Sequence, residues 1–497
     1  MKFLHTISLY SLSGVLLGVG FIYPDFWILG LVGAAMQLKM LASQKFGQIW
    51  GSYVAWVIKY LFVLGFYWTI YPIKWLPFDF GGGELALVGL YWITVALFVG
   101  TSGLVFGLLY KLISGVLNNT RWIGYALLPV IWIAAEIAGS YLLSIFTYGP
   151  GSLLNGYFSL GYLGLLLGEH QFLLAIAKIG GVYALSGVAV IIAFWLSGFS
   201  RKQHKIKILL APISVIGLLL LTNTFTFLPE DDYDKQTSVA VIGTSFPVEK
   251  SFNRENISNI ILEQEKALAV AMSTEAAYIV LPEDARFFNQ SEEAKQAKNF
   301  FNFKYPDSDV VIVDSGRVPL NGSAVLQGFV FDSQTGEHSA IHKKYLVPQG
   351  EFVPYFYATL FRFIGFGHII DELQKLLSYT IGPNTSQADL PDHYPGVLFC
   401  FESSSGIGVR NLIKERPDLP FIAHPVSHTW FNEPQSLWSQ LETSLKVQAV
   451  WNDVAIVSAT QHGPSQLFLP NGAVVEPRLI DSGEHWEVGL FTVPLPK

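Results

Sequence analysis

Ile216-Gly217-Leu218-Leu219-Leu220-Leu221-Thr222-Asn223-Thr224-Phe225-Thr226-Phe227 runs into Leu228-Pro229-Glu230-Asp231-Asp232, and a few residues later into Thr237-Ser238-Val239-Ala240-Val241-Ile242. Up to Phe227 the chain is a succession of long apolar runs; beyond it, ordinary mixed sequence with short β-branched runs takes over. The change is abrupt and divides the 497 residues into two parts, 1–228 and 229–497. Apolar residues make up 51% and charged residues 14%, and the mean hydropathy is +0.40. This exceeds what a soluble globular protein carries and implies a bilayer as partner. A net charge of −7 offers no basic surface for phosphates, so nucleic acid is not an expected partner. The single cysteine, Cys400, rules out an internal disulfide, a Cys-x-x-Cys pair and a cysteine-rich zinc site.

Working back from Phe227, runs of about 17 to 25 apolar residues have the length that spans a bilayer as helix, because lipid requires every backbone group to be satisfied within the segment. Seven are expected: His5 to Phe21, Phe26 to Leu41, Ile49 to Ile70, Leu85 to Leu112, Trp122 to Phe146, Leu173 to Leu196 and Ile208 to Phe227. Leu160 to Gly168 is short and glycine-rich, which suits a re-entrant or interfacial segment. No small-x-small site follows the first run, which is therefore expected to be retained rather than cleaved as a signal peptide. Lys2, Lys39, Lys45, Lys111, Arg121, Arg201, Lys202, Lys205 and Lys207 all fall before the first run or in alternate loops. The bias of lysine and arginine toward the cytoplasm puts those loops inside and everything after Phe227 outside.

Working forward, strands are predicted at Ser238 to Ile242, Tyr278 to Leu281, Val310 to Val313, Val325 to Phe331, Val397 to Phe401, Phe421 to Ala423 and Val454 to Ser458, with helices at Arg254 to Ser273 and Glu433 to Trp451. Strands interleaved with helices predict a layered α/β domain.

Three residues in that domain have the chemistry of an acyl-transfer site. Glu283 follows the apolar run Ile279-Val280-Leu281-Pro282, where burial raises a carboxyl pKa and suits it to general-base work; a solvated acid at a strand end is the alternative. Lys343 and Lys344 precede Tyr345-Leu346-Val347-Pro348-Gln349-Gly350-Glu351, where an ammonium can stabilise an oxyanion, or simply be solvated. Cys400 ends Gly396-Val397-Leu398-Phe399 and precedes Phe401-Glu402-Ser403-Ser404-Ser405-Gly406, a strand-to-helix turn that can activate a thiol; a buried cysteine can equally be a small apolar residue. His424 and His428 are separated by Pro425 and lack a third ligand, so no metal is expected. The aromatic stretch Tyr355 to Phe366 is either core or a segment resting at the membrane interface.

The order Glu, Lys, Cys, each at a strand end, resembles the nitrilase superfamily. More specifically, Lys343-x-x-Leu346-Val347-Pro348-x-Gly350-Glu351-x-Val353-Pro354 is similar to the signature Lys-x-x-Leu-Val-Pro-Phe-Gly-Glu-Tyr/Phe-Val-Pro of the apolipoprotein N-acyltransferase family. In the bundle, Pro129-x-x-Trp132-x-x-x-Glu136 and Gly181-Val182-Tyr183-x-Leu185-Ser186 resemble the family's motifs too. The resemblance implies a multi-span α-helical membrane bundle followed by an αββα sandwich. Within it, Glu283 is the base, Lys343 rather than Lys344 the oxyanion-stabilising lysine, Cys400 the nucleophile and Glu351 a second glutamate that orients the lysine. Cys400-Phe401-Glu402 matches the family's Cys-Tyr-Glu, implying supporting roles for Phe401, through its backbone N–H, and for Glu402. The family's Asn-Asp-x-Trp-Phe stands here as Ser427-His428-Thr429-Trp430-Phe431, so Trp430 and Phe431 are implied at the substrate. Thr147-Tyr148-Gly149-Pro150 replaces Gly-Phe-Pro-Trp.

The activity implied is transfer of an acyl chain from a phospholipid, through a thioester on Cys400, to the N-terminal amine of a diacylglyceryl apolipoprotein. It implies no cofactor, and a bacterial inner membrane with the catalytic domain outside. A membrane-anchored nitrilase-type amidase and a non-catalytic lipoprotein-binding relative are the competing expectations.

Overall fold

The computed structural model describes residues 2–42, 47–75, 83–119, 123–198, 235–247, 257–288 and 293–496. Five helical segments among them are long and apolar enough to cross a membrane: His5–Ile22, Gly47–Ile70, Glu84–Leu117, Tyr125–Phe146 and Ala177–Gly198. The expected run at Ile208 to Phe227 lies outside the described residues, as do the loop cations from Arg201 to Lys207. Phe26 to Leu41 forms a helix of only 15 residues, Trp27–Leu41. At 1.5 Å per residue it reaches about 22 Å, short of a hydrocarbon core of about 30 Å. Its apolar content instead serves burial: Leu31, Ala34, Leu38 and Leu41 are covered by neighbouring helices, and a Cβ at Gly33 would stand 2.7 Å from the Ser13 carbonyl oxygen. The predicted run Leu85 to Leu112 is two helices, Glu84–Val99 and Ser102–Asn119, meeting at Gly100 and Thr101.

Several polar groups inside the bundle pair with one another, as a dry interior favours. Gln37 Nε2 donates to Ser52 Oγ at 2.6 Å and Trp56 Nε1 to Gln37 Oε1 at 3.2 Å. Glu136 brings two of the sequence motifs together. It accepts Trp132 Nε1 at 3.0 Å, Leu163 N at 2.7 Å and Ser186 Oγ at 2.9 Å, and so holds the glycine-rich stretch that the sequence marks as re-entrant or interfacial. That stretch is buried and ends in a short helix, Leu165–Gly168. It leads to the second part of the chain, with Ser159 N donating to Ser404 O at 2.8 Å.

The second part is an α/β domain with a mixed sheet. Its central strand, Gln236–Thr244, runs parallel to Tyr278–Val280 and antiparallel to Trp486–Pro494. A single pairing, Thr244 with Gln461, joins it to the half that contains Ile456–Gln461, Ile422–Ser427 and Gly396–Val397. The two-residue alternation of Val239-Ala240-Val241-Ile242 explains the layering. Val239 and Val241 face the other half of the sheet, packing in one cluster with Val397, Ala423 and Val457. Ala240 and Ile242 face the helix Ile257–Met272, through Ala267, Leu268 and Ala271. On the far side, Leu398, Ile422 and Ile456 meet Val409, Leu445 and Ala449.

The domain is seated on the bundle. Tyr357, Phe361, Ile370, Leu437 and Val450 belong to the same buried cluster as Trp56, Trp132 and Leu167. Lys446 Nζ pairs with Glu169 at 2.9 Å, and Gln440 Nε2 reaches Val63 O at 2.9 Å. Trp451 lies over Gly181, whose φ of +59° breaks the helix there and whose missing Cβ makes room for the indole.

Candidate active site

Each candidate residue sits where a strand hands over to a loop. Tyr278–Val280 ends two residues before Pro282, and Glu283 is buried behind it. The strand His338–His342 delivers Lys343, whose backbone N is held by Leu326 O at 3.0 Å and whose side chain is fully enclosed. The turn Val347 to Phe352 brings Glu351 back beneath it. Lys343 Nζ lies 3.0 Å from Glu283 Oε1 and 2.8 Å from Glu351 Oε1, while Glu351 Oε2 accepts Val347 N at 2.7 Å. One buried ammonium therefore stands between two buried carboxylates, and removing any partner would leave a costly unpaired charge.

The strand predicted at Val397 to Phe401 stops at Val397, and Cys400 opens a 3-10 turn, Cys400–Ser404. Its φ of +22° is sparsely populated for an L-residue, the kind of local strain that marks functional turns. Cys400 Sγ points toward Ser427 O at 3.6 Å. Glu402 fixes this turn: it accepts Phe399 N at 3.0 Å, Lys344 N at 2.7 Å and Tyr345 N at 3.2 Å, tying the cysteine turn to the lysine loop. Lys344 contributes its backbone, and its Nζ rests 5.9 Å from the Tyr345 ring centroid.

Electrostatics separate the roles. Burial, together with Glu351, pushes the Glu283 carboxyl up to about 7, against the opposing pull of Lys343. Burial also works against charge on Lys343, but Glu283 and Glu351 override it and hold the ammonium well above its ordinary value. The Cys400 thiol is raised by burial and by Glu283, and lowered by Lys343. At neutral pH the site thus holds a charged lysine, a protonated thiol and a carboxyl near the middle of its titration. His424 and His428 are driven by burial down to about 4 and about 3 and are neutral. His424 Nδ1 contacts Ser458 Oγ at 3.1 Å, and its Nε2 lies 3.5 Å from Cys400 O.

Cys400 and Phe401 lie in the wall of a cavity of about 250 Å³ between the bundle and the α/β domain, walled by apolar groups such as Leu87, Leu143, Phe158 and Leu346. Trp430 and Phe431 line it as well. Trp430 packs edge-on against Trp75 at 4.9 Å and Phe431 against Phe66 at 5.7 Å, so both indole and phenyl are braced by the bundle. Part of the aromatic stretch joins the same wall: Tyr357 and Phe361 point in, whereas Phe363 is 88% exposed.

No protein-family model matches the chain, and no curated protein does. Among solved structures, the chain is similar to a glutamine-dependent NAD(+) synthetase from Cytophaga hutchinsonii, at a TM-score of 0.34 and 11% identity over 52% of this chain and 43% of that one. It is also similar to the glutamine-dependent NAD+ synthetase from Acinetobacter baumannii solved with ADP, at a TM-score of 0.33 and 15% identity over 53% of this chain and 48% of that one. The chain spans less than half the length of either.

Proposed function

We propose that the chain is a membrane acyltransferase of the apolipoprotein N-acyltransferase type, with an αββα nitrilase-like catalytic domain on the extracytoplasmic side. The observation that carries this reading is that the cysteine backed by Glu283, Lys343 and Glu351 is in the wall of an apolar cavity shared with the helical bundle. A small-amide hydrolase needs a polar pocket; an acyl chain needs this one.

In the first half-reaction Glu283 takes the Sγ proton of Cys400, and the thiolate attacks an ester carbonyl of a phospholipid. Lys343 and the Phe401 N–H stabilise the oxyanion. Collapse breaks the C–O bond, the glycerol oxygen receives the proton from Glu283, and a lysophospholipid leaves the thioester behind. In the second, the N-terminal amine of a diacylglyceryl cysteine attacks the thioester, Glu283 takes its proton and returns it to the departing Cys400 sulfur. Glu351 orients the lysine, Glu402 the cysteine turn, and Trp430 and Phe431 bound the acyl chain.

Intact-mass analysis tests this directly. Incubated with phospholipid, the protein should gain one acyl mass that hydroxylamine removes, and a peptide bearing an N-terminal diacylglyceryl cysteine should discharge it, while the same peptide with a blocked amine should not. Because Cys400 is the only thiol, C400A should gain none; an adduct of equal yield on that variant would refute the nucleophile.

A further inference from the structure

The turn that carries Cys400 is completed from the helical bundle. Beside its end, at Ser404 to Gly406, runs Tyr157-Phe158-Ser159, and the two stretches pair as short antiparallel strands would. Phe158 bridges Ser405. Ser159 donates twice to Ser404 O, from its backbone N at 2.8 Å and from its Oγ at 3.0 Å, and Gly406 N donates to Tyr157 O at 2.9 Å. The fit is close: a Cβ at Gly406 would stand 3.2 Å from Ser159 Cβ. The Phe158 ring lies 6.1 Å from that of Phe401. This stretch is in turn held by the helix Gly124–Phe146, whose Ser140 Oγ donates to Phe158 O at 2.7 Å and whose Glu136 accepts Leu163 N.

From Ser404 the contacts run back to the nucleophile. Ser404 Oγ donates to Phe401 O and Ser403 Oγ to Cys400 O, both at 2.6 Å. The second bond bears on the chemistry, because Cys400 C=O and Phe401 N–H belong to one planar peptide. An anchor on the oxygen fixes where the N–H points. A donor on the carbonyl also polarises the peptide and strengthens the N–H at its other edge. Ser403 is fully buried, and its own carbonyl accepts Gln448 Nε2 at 2.9 Å, so the anchor is itself fixed. Cys400 at φ +22° is a conformation that persists only where its surroundings over-determine it, and these bonds supply that constraint.

We infer that Ser403 and Ser159 are positioning residues for acyl transfer: Ser403 aims the Phe401 N–H at the oxyanion, and Ser159 of the bundle clamps the turn that holds Ser403. The inference rests on the acyl-transfer reading, with Cys400 as nucleophile and the Phe401 N–H as oxyanion donor. It gives the bundle a part in catalysis beyond forming the cavity wall, since the alignment of the donor depends on the α/β domain being seated on it.

The test compares two reactions of the same thiol, on the full chain in detergent. p-Nitrophenyl butyrate acylates the sulfur through a tetrahedral oxyanion and releases p-nitrophenolate. Methyl methanethiosulfonate transfers a methylthio group to the thiolate and releases methanesulfinate, with no acyl oxyanion formed. Ser403→Ala should slow acylation roughly 10-fold and Ser159→Ala roughly 3-fold, within the span of one net hydrogen bond, while both variants react with methyl methanethiosulfonate at the wild-type rate. A merely structural loss would slow both reactions together. Ser159→Ala, in a separate segment, carries the test if Ser403→Ala fails to fold. A ratio of the two rates unchanged from wild type in every variant that folds would overturn the assignment. A selective loss of acylation supports it, and if phospholipid leaves no adduct on the same protein, only the acyl donor of the proposed reaction is wrong. If neither ester acylates a wild type that methyl methanethiosulfonate modifies, the positioning role and the acyl-transfer reading fall together.

Discussion

Among the described residues, two lysines are almost fully enclosed, Lys59 in the bundle and Lys343 in the α/β domain, and they differ in what surrounds them. Lys343 has two carboxylate oxygens within 3.0 Å. Lys59 Nζ has no hydrogen-bond partner among the described residues and lies among rings, 4.6 Å from Trp56, 4.7 Å from Tyr60 and 5.5 Å from Phe21. Burial is common to both; of the two, Lys343 alone is hydrogen-bonded to oppositely charged partners. A buried ammonium over aromatic faces is held by the ring quadrupoles, whereas one between carboxylates is positioned to within a hydrogen bond and can meet a developing oxyanion without reorganising.

The sharpest way to break this contrast is to remove the proton acceptor on the Lys343 side. Glu283→Gln keeps the shape and should slow acylation of Cys400 by roughly 10²–10⁴-fold, the usual worth of a general base, read as the rate at which the acyl mass appears. Lys343→Met should slow it by roughly 10²–10³-fold, as loss of one oxyanion-stabilising group does. It should also lower thermal stability, because Glu283 and Glu351 would then be buried together without a counter-charge.

A pH series gives a gentler measure. With the Glu283 carboxyl raised to about 7, its basic form is lost as pH falls below that value. The acylation rate should therefore decline about tenfold per pH unit on the acid side and level off above. Glu283→Gln should flatten that limb; a limb that persists in the variant would assign the titration to another group. The smallest effect is expected at the other lysine. Lys59→Met should leave the acylation rate unchanged, measured alongside Lys343→Met, and an equal loss at both would erase the distinction between the two sites.

The parts of the fold legible in the sequence were those encoded by local period. Apolar runs of bilayer length announced helices, and the short β-branched run from Ser238 to Ile242 announced a strand. The boundaries were less legible where a neighbour decides them. Trp27–Leu41 is as apolar as a spanning helix but ends after 15 residues, and its burial comes from helices that spacing cannot reveal. The last strand, Trp486–Pro494, pairs with the first strand of the domain, Gln236–Thr244, across most of the domain's sequence, and no local pattern names that partner. The strand expected through Phe401 stops early because Cys400 turns the chain at positive φ.

For the candidate site, the residue types and their order along the chain could be read directly; the choice of Lys343 over its neighbour came from the family resemblance, and the structure places Lys343 between Glu283 and Glu351. The bracing of Trp430 by Trp75 and of Phe431 by Phe66 could not be read in this way, because ring contacts between distant segments leave no local pattern in the sequence.

By itself, then, the sequence determined the division into an apolar bundle and an α/β domain, and the chemical inventory of a Glu-Lys-Cys site, because period, run length and residue type are local properties of the chain. Only the tertiary structure decided that Lys343 is shared between Glu283 and Glu351, that Glu402 ties the lysine loop to the cysteine turn, and that Cys400 lies in the wall of an apolar cavity half built by the bundle. Apart from the Lys343–Glu351 pair, those depend on contacts between residues 58 to 258 positions apart, and such contacts are set by how buried faces pack against one another, which no single segment encodes.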